Sequence, residues 1–511
     1  MKKLSQFLKT WGIHCLLLPM FFILHNYLMY YGLLPIALAV ATLAVILLIS
    51  FLYLIITYYL TQNVHKAALI ATLLSFFFFF YGIFKDFISN MLYLPMLAKH
   101  RFLLPVLVVL AIVLVMSILK KTKFGKINLF LNLLLLSCIT VDVFSILKPG
   151  GAALHKSKSL VSNNMLAVEN LPVPADKPDV YFLLFDSYPA TQYLSSYLHY
   201  DNSEMEKKLL ARNFRVILHP KSNYNRTAFS MASELNFEHF QSLNNGSTIT
   251  PQHYTQALLA IQNGLVPRVF EHLGYAVHNL SVFDIGATSP IFKEGFLSMP
   301  GLDMLLFNTC PARIRSDIGW KFVADRMDYQ DPGRLSIAAI QKVKFARFAY
   351  REFTRVALDS VVQLAGESSL SPKFVYAHLM LPHPPFFYDE NGRPGASDSI
   401  LPLTTHSNPR RFLQYLQYTN RVMLAVVDSI RSKTAGKAVI IVQSDHGSID
   451  FDNVPITQEL RLQNFSSFYF PDRAYELLYD SLSNVNTFPI LFNKYFKTAI
   501  PLQNDSFTVL K

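Results

Sequence analysis

A helical membrane domain followed by an α/β domain built on a mostly parallel sheet is the fold this sequence predicts. Two observations carry that expectation. The first 150 residues hold five long apolar stretches, each near the ~20 residues that a helix needs to cross a bilayer. From Asp179 onward, short apolar runs alternate with longer helical patterns, as in a parallel sheet with helices on both faces.

The apolar stretches lie at 12–32, 34–60, 68–94, 102–119 and 127–147. Charge divides the chain at the same place. Residues 1–150 contain 12 Lys and Arg and only two acids, Asp86 and Asp142, so they carry +10 of the total +12. The remaining 361 residues hold 34 basic and 32 acidic side chains. The basic balance is therefore a membrane-topology signal, and it gives no support to nucleic-acid binding. Lys2, Lys3 and Lys9 precede the first stretch, Lys66 lies in the second connection, and Lys120, Lys121, Lys123 and Lys126 crowd the fourth. By the positive-inside rule these eight lysines face the cytoplasm, and five crossings put the rest of the chain outside it. The first stretch lacks a small-residue cleavage site, so it reads as an anchor and not as a signal peptide. Phe76 to Phe80 read as lipid-facing bulk, and His14, His25 and Asn26 as polar groups satisfied by neighbouring helices. Lys85 and Asp86 form either an intramembrane ion pair or a headgroup-level patch.

These signals divide the chain into a five-helix membrane domain (1–148), a linker (149–178) and an extracytoplasmic catalytic domain (179–511). The linker is marked by Gly150-Gly151, Asn163-Asn164 and Pro172, Pro174 and Pro178. Strands are expected at 179–185, 213–218, 275–280, 373–379 and 438–443. Helices are expected near 200–212, 228–236, 252–262, 334–364 and 409–432. The long 334–364 pattern puts Leu335, Ala339, Ala346, Phe353, Ala357 and Leu364 on one side. Cys310 is alone in the soluble part, so no internal disulfide supports that domain.

The chemistry gathers at strand ends. Val439 to Gln443 runs into Ser444-Asp445-His446-Gly447, and Val180 to Phe185 runs into Asp186. Open α/β sheets place ligands at the carboxyl ends of such strands. Two carboxylates and an imidazole delivered there make an oxygen-plus-nitrogen set for a divalent metal.

Four blocks together resemble the alkaline phosphatase superfamily. They are Asp186, Asn223-Tyr224-Asn225-Arg226-Thr227-Ala228-Phe229-Ser230, His378 with Pro382-His383-Pro384-Pro385-Phe386, and Ser444-Asp445-His446-Gly447. Within it, the chain looks most like the membrane-anchored, sulfatase-like branch of lipoteichoic acid synthases and phosphoglycerol and phosphoethanolamine transferases. The resemblance implies an alkaline-phosphatase-like fold and a metal-activated hydroxyl nucleophile. It places Thr227 in that role, with Asp186, Asp445 and His446 completing the metal shell. A free Thr hydroxyl is a weak nucleophile, and metal coordination activates it. Thr227 also reads as a helix N-cap, and a helix N-terminus favours an anionic phosphoryl group. Ser230, one turn further on, is the competing nucleophile.

By the same resemblance, His383 contacts the transferred phosphoryl group or protonates the departing oxygen. His378 is implied near the substrate or behind the metal ligands, and it reads equally as a satisfied core histidine. Arg226 either pairs with phosphate oxygens or points to solvent. Thr227-Ala228-Phe229-Ser230-Met231 lacks the Cys or Ser, Pro and Arg of a formylglycine sulfatase pattern. Asp186 is followed by Ser187 and not by a second acid, which favours one metal over two. Mn²⁺ is the expected ion, with Zn²⁺ and Mg²⁺ as alternatives.

Three functions follow. The first is transfer of a phosphoglycerol or phosphoethanolamine headgroup from a membrane lipid to an envelope glycan or lipid, through a phospho-threonine. The second is an exported phosphodiesterase, phosphatase or sulfatase-like hydrolase that passes the same intermediate to water. The third is an inactive membrane scaffold, which the complete residue set argues against. The topology is directly testable. Reporter fusions at residues 65, 123 and 160 are expected to read inside, inside and outside, and a cytoplasmic reading at 160 overturns the orientation.

Overall fold

The structure is a computed structural model. It describes residues 2–147 except 32, 93 and 95, residues 168–290 except 175, and residues 301–318, 346–395, 407–447, 451, 457 and 459–511. The chain forms two compact units, one of residues 1–158 with 299–326 and one of residues 159–298 with 327–511.

In the second unit, β1 (Val180–Phe185) is the centre of a six-stranded sheet. All six of its residues are buried, as expected of a strand covered on both faces. It pairs in parallel with β4 (Lys373–Leu379) on one side and with β5 (Val439–Gln443) on the other. β3 (Ala276–Leu280) extends the parallel part beyond β4. Beyond β5 the sheet turns antiparallel through β6 (Ser466–Tyr469) to the short β2 (Arg215–Val216), giving the order β2-β6-β5-β1-β4-β3.

The five expected strands are present, although the one expected at 213–218 shortens to two residues. β6 was not anticipated, because Ser466 and Ser467 interrupt its apolar run. The helices Thr191–Leu198, Leu265–His272 and Thr487–Phe496 were also not anticipated. Helix Pro409–Lys433 has Asn408 as its cap and Pro409 at its first position, which is standard N-terminal chemistry. The pattern expected over 334–364 is a helix at Ala346–Gly366, with Phe353 and Ala357 fully buried. Leu335 and Ala339 lie outside the described residues, as does most of the expected linker.

The first unit is helical. Among the described residues, Ile36–Thr61, His100–Lys120 and Gly125–Ser145 are long and apolar enough to cross a membrane. Val64–Phe79 and Tyr81–Ser89 make a fourth candidate span, bent by 56°. The expectation of five full spans therefore needs correction at the first. Residues 12–32 contain a helix of only 16 residues, His14–Met29, about 24 Å long at 1.5 Å per residue. A separate helix, Lys2–Thr10, precedes it. At the break Gly12 passes so close to Ala68 that an added Cβ would lie 2.6 Å from the Ala68 Cβ.

Buried polar groups tie this bundle together. His14 Nδ1 lies 2.6 Å from Thr72 Oγ1, and its Nε2 lies 3.3 Å from Asn128 Oδ1. His25 pairs with Asp142 at 3.2 Å. Helices Gly301–Leu306 and Cys310–Ile318 also belong to this unit, where Met304 and Leu305 pack with Tyr27, Leu34 and Ala39. Asp86 is ion-paired with Arg313, whose guanidinium stands 4.3 Å above the Phe307 ring. The acid of the Lys85-Asp86 dipeptide thus has a partner more than 200 residues away in the chain.

The aromatic core of the second unit centres on Phe270, stacked 4.0 Å from Phe374 and edge-on to Phe488, Phe492 and Phe496. Phe270→Ala removes the common partner of these rings. It is expected to destabilise this unit by about 3–5 kcal/mol, read as a lowered denaturation midpoint in urea.

Candidate active site

The site is built by register. Leu184 of β1 stands opposite both His378 of β4 and Gln443 of β5, so the three strands end at one level. Asp186 leaves the end of β1, His378 lies one residue from the end of β4, and Asp445 and His446 follow the end of β5. Asp186, Asp445 and His446 are all buried, and each offers a ligand atom within 4.8 Å of the others.

Thr227 comes from a different element, the helix Thr227–Glu234. Arg226 occupies the N-cap position there and makes no side-chain cap bond, so Thr227 is the first helical residue and not the cap. This corrects the cap expectation. Its hydroxyl is free to face the cluster, with Oγ1 3.3 Å from His446 Nε2. Ser230 is fully buried and donates to the Asp445 carbonyl at 2.5 Å. That hydroxyl anchors the loop that carries Asp445, which leaves the half-buried Thr227 as the more accessible candidate.

Each ligand candidate is held by neighbours. The Ser187 hydroxyl donates to Asp186 Oδ1 at 2.8 Å, and His378 Nε2 approaches Asp186 Oδ2 at 3.1 Å. Tyr376 OH lies 3.1 Å from the other nitrogen of His378. His378 is completely buried beneath Asp186, so it orients that carboxylate and cannot reach a substrate. Burial alone would push the Asp186 carboxyl up, but His383, His378 and His446 together hold it below the ordinary carboxylate range.

Asp445 Oδ1 accepts the Ser187 backbone N–H at 3.1 Å. Ser187 has φ 62°, a left-handed conformation uncommon for a residue with a side chain and typical of over-determined functional loops. Asp445 Oδ2 is buried with no hydrogen-bond donor among the described residues, and it faces His446 Nε2 at 3.4 Å. A buried carboxylate oxygen left in this way is costly unless a cation meets it. His446 donates Nδ1–H to the Gly447 carbonyl at 3.1 Å, which leaves the Nε2 lone pair facing Thr227 and Asp445. Two carboxylates, one imidazole lone pair and one hydroxyl therefore fit a single divalent cation. Gly447 itself is dictated by space, because a Cβ there would lie 2.3 Å from the Gln463 carbonyl oxygen.

His383 sits half-buried on the loop between Pro382 and Pro384. Its Nδ1 contacts the Pro384 carbonyl at 2.6 Å, so the proton belongs on Nδ1 and Nε2 is left as the exchanging nitrogen. Arg226 is half-buried, and its Nε has no partner among the described residues. Burial raises the Tyr254 phenol, and the positive charges of Arg226 and Arg461 oppose that rise. Ser187 carries no sequence signal of its own, since it lies outside any strand-end acid, histidine or glycine motif.

Comparison with known proteins gives the family. The sulfatase family model matches residues 181–490, more than half of the chain. The chain belongs to the sulfatase family. No curated protein matches the chain. Among solved structures, it is similar to the C-terminal periplasmic domain of EptC from Escherichia coli in complex with Zn. That match has 12% identity and TM-score 0.34, and covers 61% of this chain and 80% of that one. A phosphonate monoester hydrolase of Agrobacterium radiobacter matches at 14% identity and TM-score 0.36, covering 62% and 73%. An alkaline phosphatase superfamily protein from Vibrio parahaemolyticus matches at 11% identity and TM-score 0.36, covering 64% and 68%.

Elemental analysis of purified variants tests the ligand set. Asp445→Asn and His446→Ala are each expected to lose bound metal while keeping the fold, and full occupancy in both would place the ion elsewhere.

Proposed function

We propose that this sulfatase-family protein is a membrane-anchored, metal-dependent transferase. It moves a phosphoglycerol or phosphoethanolamine headgroup from a lipid donor to an envelope glycan or lipid through a phospho-threonine. The observation that carries the reading is the Thr227 hydroxyl at a helix start, facing His446 Nε2 beside two buried carboxylates, on a chain that begins in membrane helices.

When bound by Asp186, Asp445, His446 and Thr227, a divalent cation lowers the pKa of the hydroxyl and offsets charge on the phosphoryl oxygens. Mn²⁺ is our first choice of ion, ahead of Zn²⁺ and Mg²⁺. Thr227 Oγ1 attacks phosphorus, forming one P–O bond as the bond to the lipid alcohol breaks. The departing alkoxide takes its proton from His383 Nε2, and in the second half-reaction the same nitrogen accepts the proton of the acceptor hydroxyl. The first backbone N–H groups of the Thr227 helix and the Arg226 guanidinium are suited to the phosphoryl oxygens. Water as the acceptor turns the same cycle into hydrolysis.

The catalytic half lies outside the cytoplasm in this reading, and the first unit supports that orientation internally. Asn128 donates to the Lys9 carbonyl and contacts His65, and Lys66 Nζ donates to the Leu119 carbonyl at 2.6 Å. The lysine-bearing segments thus gather at one end of the bundle. Met304 and Leu305, from the chain beyond β3, pack with Tyr27 in the last turn of the helix that begins at His14 and with Leu34 beyond it. Lysines inside puts that second end outside.

The test is to quench the enzyme with headgroup-labelled phospholipid and map the modified peptide by mass spectrometry. Label is expected on Thr227, followed by diacylglycerol release and label on a glycan or lipid acceptor. Thr227→Ala is expected to reduce turnover to background with the fold intact, because its side chain caps nothing. Label on another residue, or undiminished turnover in the variant, overturns the assignment, and label found only as free headgroup phosphate identifies a hydrolase.

A further inference from the structure

The membrane unit contains a cleft of about 600 Å³ that the catalytic chemistry does not use. Its walls come from four helices, His14–Met29, Val64–Phe79, His100–Lys120 and Gly125–Leu147. Leu69, Phe76, Leu114, Leu131 and Leu135 supply much of its apolar lining.

Its hydroxyls are already occupied. Thr72 donates to the Ala68 carbonyl at 2.8 Å and contacts His14, and Ser117 donates to the Val113 carbonyl at 3.0 Å. Among the described residues that line it, Lys121 carries the single charge. The alternative employment for Lys121 is at the end of helix His100–Lys120, where it stands as the C-cap residue. Lys66 Nζ already binds the Leu119 carbonyl at that end, and the Lys121 ammonium has no ion-pair partner among the described residues.

Position and length identify the occupant. The wall from Leu69 to Phe80 is roughly 16 Å long at 1.5 Å per residue, close to half of the ~30 Å hydrocarbon core and so the depth of one leaflet. Lys120, Lys123 and Lys126 are exposed next to the mouth that Lys121 marks. An apolar slot one leaflet deep, with a cation at its mouth and more beside it, matches an acyl chain joined to an anionic phosphate headgroup.

We propose that this cleft is a binding site for an anionic phospholipid, with an acyl chain along the slot and the headgroup phosphate at Lys121. Ordinary boundary lipid would fill the slot without regard to headgroup, so charge selectivity is the distinguishing property. The site belongs wholly to the membrane unit and holds whether the catalytic half transfers or hydrolyses.

The experiment uses the full-length Thr227→Ala protein, so that turnover cannot consume the ligand. Phosphatidylglycerol and phosphatidylcholine of the same acyl composition are titrated into detergent-purified protein and read by native mass spectrometry. Phosphatidylglycerol is expected to be retained preferentially. Lys121→Gln should weaken that retention about fivefold, the contribution of one lysine near an anionic headgroup. Leu131→Trp, which fills the slot, should reduce retention of both lipids. Equal retention of the two lipids, or no change in Lys121→Gln, overturns the proposal, and because Lys121→Gln keeps the slot intact it decides the matter even if Leu131→Trp misfolds.

Discussion

The register of three parallel strands is the constraint on which the site depends. Because Leu184 is level with both His378 and Gln443, the residues that follow β1 and β5 emerge side by side, with the end of β4 on the other side of β1. A one-residue slip would turn every side chain of a strand to the opposite face of the sheet. Such a slip is opposed on both faces, since β1, β4 and β5 are buried throughout. The catalytic geometry is thus secured by hydrophobic packing some distance from the polar atoms themselves.

Around that frame lies a layer of buried hydroxyls and amides whose work is to hold Asp445 and His446. Ser230 holds the Asp445 carbonyl, and Ser444 donates to the His446 carbonyl at 2.5 Å and accepts from the Tyr188 N–H. Asn464 and Asn484 both donate to the Ser444 carbonyl. Each such bond contributes about 0.5–1.5 kcal/mol net, but an orphaned member would cost more, so the layer is stable only as a set. Asp445 Oδ2 is the point at which the set stays open. An opening of this kind inside a satisfied network marks where a ligand completes the structure, and binding there also stabilises the fold.

What could be read in the sequence follows from this division. Strands buried on both faces are written as continuous apolar runs, so β1, β4 and β5 were legible along with the acids at their ends. β6 is just as buried, but Ser466 and Ser467 break the run. The Asp-His-Gly and Pro-His-Pro blocks pointed to the site through their order along the chain. Ser187 could not be found that way, because its hydroxyl bond to Asp186, its backbone N–H bond to Asp445 and its left-handed φ follow from the fold and from no motif. For His378 the sequence leaves substrate contact, a place behind the metal ligands and a core role open, and its complete burial against Asp186 favours the place behind that carboxylate. The docking of 301–318 onto the membrane helices was equally hidden, since the Asp86–Arg313 pair joins segments with no common pattern.

Glu234 illustrates how the same layer controls charge. It lies at the end of the helix that begins with Thr227, fully buried, with Asn484 near its carboxylate. Burial first, and the neighbouring Asp445 second, push its carboxyl well above the ordinary range, so the group favours its neutral form. Such a shift lowers stability as pH rises past the ordinary glutamate value, because the unfolded chain can then ionise and the folded one resists. A glutamate kept at that cost adds no full negative charge behind Asp445. Asp186 and Asp445 are the two carboxylates that gather with His446 at one point. That point is the one Thr227 Oγ1 faces, so the ligand atoms of the cluster gather beside the proposed nucleophile.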